Sequence, residues 1–144
     1  VPARASMQHM NDVDVIVLGT GAAGMAAALA AHEAGARVAL VERGDRIGGT
    51  SAVSGGVIWV ADNPRMRAAG MPDSREEALA YFRSLDHGDL ADETIEAFVD
   101  RGPEALVFLE SIDALKVAVL PGYPDYYLDR PGAKPEGSRA LDHD

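Results

Sequence analysis

The sequence predicts an α/β fold that opens with a parallel β-α-β unit. Three observations carry this: two short apolar runs rich in β-branched residues, a stretch of strong helix formers between them, and amphipathic helical patterns further along. Val13, Val15, Ile16, Val17 and Leu18 form a nearly continuous apolar run of the kind that buries both faces in a parallel sheet, and Gly19 ends it. Ala22 to Ala34 contains neither proline nor a β-branched residue, and Gly35 follows as a C-terminal stop, so a helix is expected there. Arg37, Val38, Ala39, Leu40 and Val41 make the second run, which ends at Glu42. Strand, helix and strand fit within about 30 residues, the length of a right-handed crossover.

The remainder reads as a helical segment and then a loop-rich C-terminal stretch. Residues 43–56 are too rich in glycine for a regular element. Ser74 stands three residues before Glu77, the pattern of a capping box, and Leu79, Phe82 and Leu85 continue it as a helix to about His87. Asp92 is positioned to cap a third helix carrying Ile95, Phe98 and Val99. Gly102 and Pro103 interrupt the period before Leu106, Leu109 and Ile112 resume it, which predicts two consecutive helices. Leu115, Val117 and Val119 alternate as in a short strand, after which Pro121, Gly122, Pro124, Pro131, Gly132, Pro135 and Gly137 predict loops. The expected organisation is a flexible tail or expression remnant over 1–11, a cofactor-binding β-α-β unit with its Gly-rich loop over 12–60, and a helical, loop-rich continuation over 61–144.

Among 144 residues, 13 are Lys or Arg and 23 are Asp or Glu, a net charge of −10. Residues 1–72 carry six basic and six acidic side chains against seven and seventeen in residues 73–144, so the whole excess lies in the second half. Such a chain repels phosphate backbones, and nucleic acid is not an expected partner. No run approaches the roughly 20 apolar residues of a transmembrane segment, no signal-peptide pattern is present, and a cytoplasmic protein is expected. Cysteine is absent and His9, His32, His87 and His143 are scattered, so neither disulfide nor metal chemistry is expected.

Gly19-Thr20-Gly21-Ala22-Ala23-Gly24 is a G-x-G-x-x-G string placed where the first strand meets the first helix. In that place Gly19 permits the turn, Gly21 lets a pyrophosphate approach the backbone and Gly24 allows close packing of helix and strand. The helix N-terminus then holds a diphosphate through N–H groups and its dipole, without a cationic side chain. Glu42, at the end of the second strand, is placed to accept hydrogen bonds from ribose hydroxyls and to repel a 2′-phosphate. A second Gly-rich run, Ile47 to Gly56, adds backbone donors and three hydroxyls, which suits FAD better than NAD. A Rossmann-like FAD-binding unit is the expectation. An NAD-binding module and a non-catalytic nucleotide-binding fragment are the alternatives.

Val15 to Gly24, Val41-Glu42-Arg43 and Gly48 to Gly56 together resemble FAD-dependent oxidoreductases of the fumarate reductase/succinate dehydrogenase flavoprotein family. Gly55 to Trp59, Asp62-Asn63-Pro64 and Pro121 to Tyr127 look most like its 3-ketosteroid dehydrogenase branch. The resemblance covers about residues 12–140 and implies that the chain is incomplete relative to the family's full domain. Its partners would be the remainder of the FAD and substrate domains and a small-molecule substrate. It implies cofactor contacts from Gly19, Gly21, Ala22, Ala23, Gly24, Glu42, Arg43, Gly49, Thr50, Ser51, Ser54, Gly55 and Gly56. Covalently flavinylated relatives carry a histidine in the loop after the second strand. The loop here has none, which implies non-covalent FAD. Hydride transfer between substrate and flavin N5 is the implied chemistry, with Tyr126 as the catalytic candidate. Residues 1–144 alone are not expected to turn over substrate. Tyr123 and Tyr127 are expected to anchor their loop and Trp59 to serve packing. Met25, Met66 and Met71 should fill core space, while His32 and His87 sit near helix C-termini.

Overall fold

The computed structural model describes residues 12–143; the expected tail over 1–11 lies outside them. The chain divides between Gly56 and Val57 into two compact units.

In the first unit β1 (Val15–Leu18), α1 (Ala22–Glu33) and β2 (Val38–Val41) follow in order, and the two strands pair in parallel with Val15 opposite Val38 and Leu18 opposite Val41. The Gly19 N–H donates to the Val41 carbonyl at 2.7 Å, so pairing continues into the turn. At the other end of the pair, the Asp14 carboxylate accepts from the Arg37 backbone N–H and guanidinium. The loop after β2 contains one regular piece, a 3-10 turn over Ser51–Val53. Described apolar side chains of this unit are only partly covered, with Ile16 48% and Leu18 79% exposed.

The second unit holds β3 (Ile58–Trp59), α2 (Pro64–Ala68), α3 (Arg75–Leu85), α4 (Asp92–Ser111), β4 (Val117–Pro121) and β5 (Gly137–His143). Its sheet has the order β3-β5-β4 and is antiparallel throughout. Ala61, Ala78, Leu79, Ile95 and Val99 form one apolar cluster, extended by Trp59 and Phe82. Val60, Leu106, Val117 and Leu141 form a second. Met66 is fully buried, whereas Met25 is 37% exposed and fills no core. No described helix is long and apolar enough to cross a membrane.

Three local expectations are corrected. The two helices expected around Gly102-Pro103 are one 20-residue helix, α4. Pro103 removes one N–H from the ladder, but Leu106 behind it is buried among Val60, Val117 and Leu141, and that packing carries the helix through. Gly102 serves the same contact, since a Cβ there would stand 3.3 Å from Val60 Cγ1. Second, Asp92 does not cap α4. Ala91 is the N-cap without a side-chain bond, and the Asp92 carboxylate pairs with Arg83 at 2.6 Å instead.

Third, the C-terminal stretch is less loop-rich than expected: residues 137–143 are the central strand of the second sheet. Its Ser-Arg-Ala-Leu-Asp sequence lacks a strand's usual β-branched content, and tertiary pairing on both edges supplies what propensity does not. A short helix, α2, also follows Asn63 where no element was expected, and the Asn63 side chain accepts from the Met66 N–H at 2.9 Å and donates to the Val60 carbonyl at 2.7 Å.

The start of α3 is as expected in part. The Ser74 hydroxyl accepts from the Glu77 N–H, but the Ser74 N–H turns to Asp73, and the Glu77 carboxylate reaches Lys134 at 2.6 Å. Much of the acidic excess is spent along α3 and α4, where Arg75 pairs with Asp100 and Arg83 with Asp92 and Glu96. These exposed pairs each contribute at most about 1 kcal/mol.

The largest fully buried side chain among the described residues is that of Arg139 on β5. Its guanidinium grips the Asp73 carboxylate with two bonds of 2.9 and 2.6 Å, and donates to Asp125 at 2.8 Å and to the Gly132 carbonyl at 3.0 Å. It also lies over the rings of Trp59 and Tyr81, at 5.2 and 5.7 Å. Burial pushes the Asp73 carboxyl up, but the bonds from Arg139 and the amides of Asp62 and Ser74 outweigh it, and the net shift is downward from 3.8. A depressed carboxylate stabilises the fold above its ordinary pKa, and that contribution disappears as pH falls through the lowered value.

Arg139→Met is therefore expected to cost about 3–5 kcal/mol, because Asp73 and Asp125 stay buried without their cation. Urea denaturation measures this. Repeated from pH 7 downward, it should show the gap between variant and parent narrowing, since the parent loses the contribution of its depressed Asp73 carboxylate while protonation of Asp73 relieves the unpaired buried charge in the variant.

Candidate functional site

Two features carry chemistry, one in each unit. In the first, the turn from β1 into α1 runs through Gly19 to Gly24. A Cβ on Gly24 would collide with the Gly19 carbonyl, so glycine there is demanded by the packing of helix on turn. At Gly21 a Cβ would meet only Ser51 Oγ at 3.8 Å and the Gly48 carbonyl oxygen at 4.0 Å, which are ordinary contacts. Gly21 has an ordinary negative φ of −67°. The protein's own structure does not need glycine at this position; a group approaching the backbone from outside would. Gly21 is the N-cap of α1 and offers no side-chain acceptor, and the amides of Ala23 and Gly24 have no partner among the described residues. A diphosphate fits such a cradle.

The expected cofactor residues are partly brought together. The Ser51 hydroxyl accepts from the Ala22 N–H at 3.1 Å and takes one helix-end donor. Gly49 lies against Gly21, where its Cβ would be 3.6 Å from Gly21 Cα. The Ser54 hydroxyl bonds within its own loop, to the Ser51 carbonyl and the Gly56 N–H. Arg43, Thr50, Gly55 and Gly56 are exposed.

Glu42 is held closely. Its Oε2 accepts from both the N–H and the hydroxyl of Thr20, and its Oε1 accepts from the Gly44 N–H at 2.9 Å. The Thr20 hydroxyl bond, followed by the Gly44 and Thr20 amides, lowers the Glu42 carboxyl from 4.5 to about 2. Thr20 and Gly48 were not among the expected site residues, yet Thr20 is 3% exposed and Gly48 donates to its hydroxyl at 2.8 Å. The only sequence signal was a hydroxyl residue inside a glycine turn, where such side chains bond to nearby backbone.

In the second unit, an apolar pocket of about 330 Å³ is walled by Trp59, Tyr81, Phe82 and Leu85, with Tyr123, Tyr126 and Tyr127 on its rim. Trp59 stacks at 6.2 Å on Tyr81 and meets the edge of Phe82 at 4.9 Å. Asp125 fixes the rim from behind: its carboxylate accepts from Trp59 Nε1 at 2.7 Å, the Lys134 N–H at 2.9 Å and Arg139. The Tyr127 N–H donates to the Tyr81 hydroxyl at 3.3 Å, and burial pushes that phenol up. The Tyr126 ring is 81% exposed, and its hydroxyl lies 3.3 Å from that of Tyr123. That bond pushes the Tyr123 phenol up.

The FAD binding domain family matches residues 14–138, and the chain belongs to that family. FAD is the cofactor this domain binds, and the match favours it over the NAD-binding alternative. The chain is 40% identical over 127 residues to a 3-oxosteroid 1-dehydrogenase of Mycolicibacterium smegmatis, covering 88% of this chain and 22% of that protein. It is 41% identical over 129 residues to a 4-oxocyclohexanecarboxylate 2-dehydrogenase of Sinomonas cyclohexanicum, covering 90% and 22%. Among solved structures, a 3-ketosteroid Δ1-dehydrogenase from Sterolibacterium denitrificans, in complex with 1,4-androstadiene-3,17-dione, superposes with a TM-score of 0.78 at 40% identity, over 90% of this chain and 22% of that one. A flavocytochrome c3 fumarate reductase in its open conformation shares the fold at a TM-score of 0.61 and 24% identity, over 91% and 21%. The chain thus spans about a fifth of the length of the relatives it matches.

Two alanine substitutions separate folding from binding. Gly24→Ala is expected to lower the melting temperature of the first unit, because the helix must move off the turn. Gly21→Ala should leave melting unchanged and weaken FAD by tenfold or more. Thermal melts with FAD titration of the apoprotein check both, and equal loss of stability in the two would contradict the distinction.

Proposed function

We propose that this chain is the N-terminal FAD-binding part of a flavin-dependent dehydrogenase or reductase whose substrate is a ketone on a six-membered ring, a 3-ketosteroid being the leading case. The observation that carries this is the apolar, aromatic pocket with two hydrogen-bonded phenols on its rim. Its walls suit a flat hydrocarbon ring, and its hydroxyls suit a carbonyl or a proton beside one. The two relatives named above share a substrate with a ring ketone, from a steroid to a single ring, which supports the same class here.

FAD, held by the Rossmann-like first unit, supplies a hydride acceptor when bound. The chain's own residues do the rest of the work assigned to this region. Tyr126 takes a proton from the carbon next to the hydride-donating carbon, so one proton and one hydride leave and a C=C bond forms in conjugation with the ketone. The base is the phenolate form of Tyr126, which becomes a phenol as it takes the proton, and the Tyr123 hydroxyl, 3.3 Å away, is placed to donate to its oxygen and favour the charged form before the transfer. Asp125 and Trp59 hold the rim in place. The flavin is bound without a covalent link, because the loop from Ile47 to Gly56 carries no histidine.

Tyr126→Phe in the intact flavoprotein is expected to lower kcat about 100-fold to 10,000-fold on a 3-ketosteroid or simple cyclohexanone substrate, with FAD affinity unchanged. Stopped-flow measurement of flavin reduction provides the check, and an unchanged rate reduces Tyr126 to a lining residue. Acid precipitation should leave the yellow chromophore in the supernatant; colour retained in the pellet contradicts non-covalent attachment.

A further inference from the structure

We propose that Thr20 is a positioning residue for the cofactor: its hydroxyl orients the Glu42 carboxylate toward the ribose and, in the same contact, pins the Gly48-Gly49 turn beside the diphosphate cradle. The inference rests on FAD lying at the N-terminus of α1.

Thr20 occupies a variable position of the glycine motif, yet it is the most deeply buried polar side chain of its unit among the described residues, at 3% exposure. Its hydroxyl has one proton and gives it to Glu42 Oε2, and the same oxygen accepts from the Gly48 N–H at 2.8 Å. Three segments that are remote in sequence thus meet on one oxygen: the turn after β1, the residue after β2 and the Gly-rich loop. A carboxylate offers about four acceptor sites. On Glu42 the Thr20 N–H and hydroxyl fill both sites of Oε2, and the Gly44 N–H fills one site of Oε1. Oε1 keeps acceptor capacity beyond the Gly44 bond, so Glu42 presents a fixed acceptor to a ribose hydroxyl.

The Gly48 bond has a second consequence. It carries the loop to where Gly49 touches Gly21, the position where the absent side chain leaves room for a phosphate. Without the Thr20 hydroxyl, the buried Gly48 N–H is orphaned and Glu42 Oε2 loses its strongest donor. The groups that hold the Glu42 carboxyl low are the Thr20 hydroxyl and the amides of Gly44, Thr20 and Arg43, with no charged side chain among them. Its ionisation therefore reports on Thr20 directly.

The test is FAD titration of apoprotein prepared from the intact flavoprotein, from about pH 7 to pH 4, in Thr20→Val, Thr20→Ser and Glu42→Gln. Valine keeps the shape and removes the hydroxyl, and FAD affinity at neutral pH is expected to fall about tenfold or more. It should fall further between about pH 5 and pH 4, as the released Glu42 carboxyl protonates nearer its ordinary value. Thr20→Ser should restore both the affinity and the flat pH profile. In a Glu42→Gln background, Thr20→Val should no longer add pH dependence. Thr20→Ala replaces the valine variant if circular dichroism shows that valine disrupts the fold. Parental affinity and a parental pH profile in the hydroxyl-free variant overturn the proposal, as does a serine variant that behaves like valine. Failure of the parent protein to bind FAD would instead overturn the cofactor reading on which it rests.

Discussion

Arg139 is the constraint around which the second unit is arranged. A guanidinium with no exposed surface has to replace every hydrogen bond it gave up to water, and here the replacements come from Asp73, Asp125 and the Gly132 carbonyl. Asp73 stands just before α3, Asp125 lies in the rim of the aromatic pocket, and Arg139 itself is on the central strand. One side chain thereby fixes a helix start, a loop and a sheet relative to one another. Trp59 and Tyr81, whose rings lie 5.2 and 5.7 Å from the guanidinium carbon, also wall the pocket. The pocket and the buried ion thus share Trp59, Tyr81 and Asp125.

The first unit is held differently. Its described apolar side chains are only partly covered, and its definition comes from backbone pairing and from the hydrogen bonds that converge on Thr20 and Glu42. This suits a surface whose task is to receive an anion. The donors are amides and a helix end, fixed by covalent geometry and needing no cationic side chain. A chain of net charge −10 can bind a diphosphate in this way without a basic patch.

Glycine positions in this turn serve two separate ends. At Gly24 the neighbouring carbonyl forbids a side chain, so the residue is set by folding. At Gly21 the fold would tolerate one, so packing does not account for the residue. A motif string reports both identically; only the packing around each glycine tells them apart.

What the sequence determined by itself was whatever depends on neighbours along the chain. The β-branched runs, the Ala-rich helix between them, the glycine turn and the Ser74 cap act through local sterics and periodicity, and β1, α1, β2 and the start of α3 lie close to where the pattern places them. The glycine string from Gly19 to Gly24 was legible for the same reason, and with it the FAD family. Tertiary structure decided the rest. A proline that locally argues for a break sits inside α4 because Leu106 has a core to join. A tail punctuated by proline and glycine contributes a central strand because β3 and β4 pair with both its edges. Arg139 and Thr20 gained their roles from carboxylates 66 and 22 positions away in the chain. Desolvation and hydrogen-bond satisfaction are properties of a place in space, and no window of sequence contains them.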